Sequence, residues 1–246
     1  MKNNKFYESF EKKKKLIGMI FVFSLLMCIT LVFAAYSKES KDDSPDAATV
    51  ILDAGHGGED GGAVGIDGIV EKDINLSVTL KLKDLLEVAG YNVILTRDKD
   101  ISIYDDQAES LRSKKRSDLR NRAKIINDNE GNEDAIFVSI HQNKFPNPKY
   151  SGTQIFYSKN NPKSGDLASS VKNSVVKLIQ PENKREIKPA DKKIFLLNNA
   201  KIPAIVVECG FLSNNEEAKK LGSTEYQNDI AFSIYCGILE FLINNT

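Results

Sequence analysis

Two histidines and two glutamates stand where this chain can do chemistry. His56 follows the apolar run Val50-Ile51-Leu52 and Asp53, inside the glycine-rich stretch VILDAGHGGEDGGAVGIDGIVE. Glu71 closes that stretch, His141 follows the apolar run 135–140, and Glu208 ends the run 204–208. In a parallel sheet the carboxyl ends of the strands share one edge, so His56, His141 and Glu208 can meet there although far apart in sequence. Two imidazoles and a carboxylate are a recurring ligand set for catalytic zinc, with a fourth position left for water. Glu71 can complete that set from the rim; its ordinary explanation is a carboxylate at a helix start, favoured by the helix dipole. Asp53 is a weaker ligand candidate, which could instead orient His56 from behind. Glu208 lies on an otherwise apolar strand, where an acid must be paired, protonated or bound to metal. It is the candidate to take a proton from an activated water and hand it to a leaving amine, unless it is a structural ion pair or helix-cap partner.

Other chemistries lack their signatures. The glycines fit neither GxGxxG nor GxxxxGK[ST], no GxSxG turn occurs, and neither Cys209 nor Cys236 sits in a nucleophile motif. Both cysteines fall in apolar surroundings, the setting of buried free thiols. The 246-residue chain has 34 basic and 34 acidic side chains, but its first 36 residues hold six lysines against Glu8 and Glu11. The body therefore carries 28 basic against 32 acidic groups. A mildly acidic body has no basic footprint for nucleic acid.

The elements that must position these residues alternate. Residues 49–53 read as a strand covered on both faces, and residues 73–89 as a helix with Ile74, Val78, Leu82, Leu85 and Ala89 on one side. Strands follow at 91–96, 135–140, 153–157 and 204–208, with a short one at 194–197. Helices are expected at 118–127, 164–179 and 226–242. Residues 98–115 read as an inserted loop, with a short helix as the alternative, and the basic run Lys114-Lys115-Arg116 as a solvated face or, less favoured, a contact for an anionic substrate. The pattern predicts an α/β fold: one domain, 49–246, with a mainly parallel central sheet flanked by helices.

Ahead of it, residues 16–35 are twenty residues without a charge, preceded by the tetralysine 12–15. That is long enough to cross a bilayer and predicts an exported body behind a membrane anchor or signal segment, 1–36, and a linker, 37–48. The membrane is thus an expected partner, and the body is expected to lie outside the cytoplasm.

The motifs DAGHGGEDGGA, VEKDINL, FVSIHQNKFPNPKYSGTQIFY and IPAIVVECGFLSN together resemble the zinc-dependent N-acetylmuramoyl-L-alanine amidases of the type 3 amidase domain. The resemblance runs from about residue 49 to 242. Its spore-cortex branch, in endospore-forming bacteria, looks most similar through LRSKKRSDLRNRAKIIND and LASSVKNSVVKLIQ. The resemblance implies one zinc ion on His56, Glu71 and His141, with Glu208 as the catalytic acid and Asn143 shaping the cleft. It implies hydrolysis of the amide between the lactyl group of N-acetylmuramic acid and the L-alanine of the stem peptide. In the spore branch this leads to muramic lactam. Ala54, Gln142 and Cys209 depart from the family's usual residues without removing a ligand. Residues 101–115 could gate the site, and an activating protein could bind there. The alternatives are a zinc peptidase on short wall peptides and a non-catalytic wall-binding protein.

Overall fold

A computed structural model describes Met27 and residues 47–245. The chain divides into two units, Met1–Asp46 and Ala47–Thr246. Apart from Met27, the expected membrane segment lies outside the described residues, among which no helix is long and apolar enough to cross a membrane.

The second unit alternates strand and helix: β1 Thr49–Ala54, α1 Glu71–Val88, β2 Asn92–Leu95, α2 Leu111–Asn127, β3 Ala135–Asn143, β4 Gln154–Tyr157, α3 Lys163–Leu178, β5 Lys188–Pro189, α4 Phe195–Asn199, β6 Ala204–Phe211, α5 Asn215–Leu221 and α6 Thr224–Asn245. The strands form one sheet in the order β2-β1-β3-β6-β4-β5. β2, β1, β3 and β6 are parallel, whereas β4 runs antiparallel to β6 and carries β5 parallel to itself. The sheet is therefore mixed, and the parallel part holds its centre.

Alternation along the strands builds two cores. Val50 and Leu52 point into the larger one with Val78 and Leu82 of α1, Val171 and Val175 of α3, and Ile234 and Ile238 of α6. Ile51, Phe137 and Val206 point the other way, onto Ala123 and Ile126 of α2 and Leu196 and Leu197 of α4. Each wholly buried aliphatic side chain contributes roughly 1.5–3 kcal/mol of transfer free energy. The two layers thus fix the central strands in register.

Several expectations needed correction. Residues 194–197 do not form a strand; consecutive Leu196 and Leu197 both reach the second core, which a helical turn permits and a pleated strand does not. Helix α2 begins at Leu111 rather than 118, because Ser110 and Ser113 form a reciprocal cap with Ser113 at the position where glutamate or glutamine is the usual signal. Strands β3 and β6 continue past His141 and Glu208, pairing Asn143 with Phe211 after a bulge. The short helix α5 was not expected; Asn214 caps it by accepting from the Glu216 and Glu217 amides.

Candidate active site

β1 runs wholly buried to Ala54, and the ladder extends one step further as the Gly55 amide donates to the Ile140 carbonyl at 3.1 Å. The chain then turns through His56 in a left-handed conformation, φ 62°. Glu71 is the first residue of α1, and His141 lies on β3 beside it. His56 Nε2 is 3.3 Å from Glu71 Oε1, and His141 Nδ1 is 3.0 Å from the same oxygen. The two imidazole rings stand edge to face, centres 5.1 Å apart. One donor atom from each of the three residues lies within 4.8 Å of the others.

Two glycines make this convergence possible. A Cβ at Gly55 would run into the His141 ring. One at Gly62, φ +70°, would meet Glu71 Oε2 at 2.5 Å and His56 Cδ2 at 2.7 Å. The glycine loop is thus a cradle for three side chains, not for a phosphate.

The surroundings hold each donor in place. Asp60 Oδ2 sits 3.0 Å from His56 Nδ1, leaving Nε2 to face Glu71. The amides of Ala63 and Gln142 donate to the Glu71 carboxylate at 2.7 and 3.0 Å, and Asn75 bridges it to the Gly55 carbonyl. Burial opposes charge on His56, but hydrogen bonds to Asp60 and Glu71 outweigh it and raise the imidazole to about 9. Glu71 is buried too, yet the two histidines hold its carboxyl well below the usual range. The carboxylates that hold a proton on His56 would equally favour a metal cation among these donors, whose binding would release that proton.

Glu208 pairs in register with His141, so its carboxyl stands on the same face of the sheet. Its Oε2 is shielded from solvent and has no hydrogen-bond partner among the described residues. Burial, reinforced by Glu71 and opposed by His141 and His56, pushes the acid up to about 7. Neither the ion pair nor the helix-cap role accounts for it. A shielded, unpartnered carboxyl beside a ligand cluster is suited to exchange protons with something that enters the site.

Residues 50–240 match the Amidase_3 family model, N-acetylmuramoyl-L-alanine amidase. The chain belongs to this family. It is a peptidoglycan amidase. A germination-specific N-acetylmuramoyl-L-alanine amidase of Bacillus subtilis (strain 168) is 38% identical over 242 residues, 93% of this chain and 96% of that one. The CwlD amidase of Clostridioides difficile, solved in complex with the GerS lipoprotein, is 44% identical with a TM-score of 0.76, over 80% of this chain and all of that one. The amidase AmiC2 of Nostoc punctiforme is 32% identical with a TM-score of 0.68, over 82% and 99% of the two chains.

The amidase carries a further layer that the sequence reading missed. Asp53 neither joins the ligand cluster nor touches His56. It is buried against Arg122, with Thr96 and Ser139 donating to its two oxygens. Arg122 also donates to the Ala54 and His56 carbonyls, both at 2.8 Å, and pairs with Asp118. Arg97 donates to the carbonyls of Ala54 at 2.8 Å and Gly55 at 3.2 Å. Two guanidiniums therefore clamp the three carbonyls that lead into the loop. The role of orienting His56 falls to Asp60 instead, a carboxylate four residues on.

The basic run is not simply solvated. Lys114 pairs with Glu59, and Lys115 pairs with Asp60. Residues 101–115 lie against the glycine loop, with Ser102 donating to the Gly57 carbonyl, and Asp100 just ahead of them accepts from the Gly58 amide. Of the body cysteines, Cys209 is buried and free, whereas Cys236 is free but only partly buried. Asn143 lies two residues beyond His141, and its carbonyl accepts from the Leu212 amide at 2.8 Å.

Proposed function

We propose that this amidase hydrolyses the amide joining the lactyl group of N-acetylmuramic acid to L-alanine, with one zinc ion held by His56, Glu71 and His141. The observation that carries the reading is the convergence of these three donors beside an unpartnered acid. Two nitrogens and one carboxylate oxygen form a set that suits zinc and leaves room for water and substrate. Bound zinc supplies Lewis acidity, polarising the scissile carbonyl and making water a better nucleophile. Asp60 and Lys115 form a relay behind His56 that keeps Nε2 facing inward. Glu208 accepts the proton of the attacking water and delivers it to the L-alanine nitrogen as the C–N bond breaks. The products are a free lactyl carboxylate and a peptide with a free amino terminus.

The germination-specific relative supports a role in the spore; on this reading the enzyme acts in cortex maturation, and the exposed muramic acid goes on to muramic lactam. The C. difficile relative was solved with a lipoprotein, which supports a protein partner for this chain as well. The apolar segment 16–35 supports an extracytoplasmic body, 49–246, tethered to or released from the membrane through residues 37–48.

Mass spectrometry of muropeptides treated with the zinc-loaded protein tests the reaction. Release of an intact stem peptide with a free L-alanine terminus is expected. The variant Glu208→Gln should lose about 10²–10⁴-fold in turnover while keeping its zinc. Cleavage within the peptide, or full activity in Glu208→Gln, would overturn the assignment.

A further inference from the structure

A cavity of about 640 Å³ opens beside the catalytic edge, between residues 149–152, residues 179–185 and helix α5. Its fixed cation is Arg185. The Arg185 Nε donates to the Ser151 carbonyl at 2.7 Å. Its guanidinium carbon lies 4.4 Å from the centre of the Phe211 ring and 5.4 Å from that of Tyr150. These contacts immobilise the guanidinium and leave both terminal amino groups without a hydrogen-bond acceptor among the described residues. The nearby acid, Glu217, accepts from the Gly152 and Phe211 amides, each at 2.7 Å, and attracts Arg185 through space without a direct hydrogen bond to it.

The walls are built, not incidental. The Gln180 amide oxygen accepts from the Thr153 amide and from Asn183, and its nitrogen donates to the Tyr226 hydroxyl at 2.8 Å. Gly152 adopts φ +87°, and a Cβ there would lie 2.9 Å from Asn183. The same segment leads straight to the catalytic acid. Thr153 donates to the Cys209 carbonyl at 2.9 Å, and Gln154 stands opposite Glu208 in the sheet. Phe211, under the guanidinium, pairs with Asn143, two residues beyond His141.

We propose that this cavity is the subsite for the stem peptide and that Arg185 binds one of its free carboxylates. The assignment rests on the amidase reading above. A planar guanidinium with two free amino groups matches a carboxylate in two-point contact. The stem peptide carries free carboxylates beyond L-alanine, whereas the N-acetylated sugar on the other side of the scissile bond carries no charge. Arg185 is therefore a specificity-determining residue that selects acidic stem peptides and sets which way the substrate lies across Glu208.

Calorimetric titration of the full-length chain with the tripeptide L-alanyl-γ-D-glutamyl-meso-diaminopimelate, and with its carboxamide analogue, tests this without turnover. The acidic tripeptide should bind about tenfold more tightly than the amide, the scale of one charge-assisted contact. Arg185→Gln should abolish that preference, and Arg185→Lys, which keeps the charge but not the fork, should retain part of it. Equal binding of the two peptides by the unaltered chain, or an undiminished preference in Arg185→Gln, would overturn the proposal. Muropeptide turnover measured alongside separates the two readings. Preference without turnover supports the subsite and sinks the assigned reaction; turnover without preference does the reverse.

Discussion

Replacing Arg122 by methionine removes a positive charge that is only 2% exposed and strands Asp53, which is 0% exposed. Breaking a buried pair from one side costs about 3–5 kcal/mol, because the remaining charge is left without compensation. Linkage gives an independent scale. Burial would raise the Asp53 carboxyl, but Arg122, His141, Ser139 and Thr96 together bring it down to about 2. Against its ordinary value of 3.8 that corresponds to roughly 2–3 kcal/mol of stability at neutral pH. Since the folded value is depressed, this stability is present above pH 4 and is lost as pH falls toward 2. The linkage figure is shared among all four partners, so the cost of the stranded charge, about 3–5 kcal/mol, is the one carried forward. For a domain of this size that lowers the melting temperature by about 6–20 °C. Urea unfolding of Arg122→Met, Asp53→Asn and the double variant, at pH 7 and pH 3, measures the coupling. The single Arg122 change should cost more than the double change, and its cost should shrink at pH 3. A loss under about 1 kcal/mol, or strict additivity, would refute the argument that this pair holds the loop.

Asp60→Asn should weaken zinc binding about 10–100-fold by removing the carboxylate that orients His56, read by competition against a chelator of known affinity. Lys115→Ala touches only the half-exposed end of the same relay and should change it far less. The acid limb of kcat/KM should fall between the ordinary carboxyl value of 4.5 and about 7, because burial raises Glu208 and a neighbouring dication draws it back down. Activity then rises with pH through that window; a profile flat across it would show that another group carries the proton.

How much of this was legible in the chain follows from where each signal sits. His56, Glu71, His141 and Glu208 each interrupt an apolar run or a glycine turn, so their sequence positions alone suggested one edge. The helices along 71–88, 163–178 and 224–245 were legible for the same reason, since each buries one stripe. Arg122 was not, because an arginine inside a helix of mean polar character reads as surface until its acceptors are known. Asp60 was hidden within a run of loop acids, and its partner His56 is chosen by the turn, not by spacing. The caps of α2 and α5 depend on Ser113 and Asn214 side-chain geometry, which local pattern does not specify.

The reversal of β4 has one more effect. Where every strand points the same way, the rim above the candidate site is furnished only by segments leaving the sheet. Here residues 144–153 arrive at that rim on their way in, and bring Phe145, Tyr150 and Gly152 with them. Insertions or exchanges in this incoming stretch can therefore re-shape what the enzyme accepts while His56, Glu71 and His141, all delivered by other segments, stay where they are.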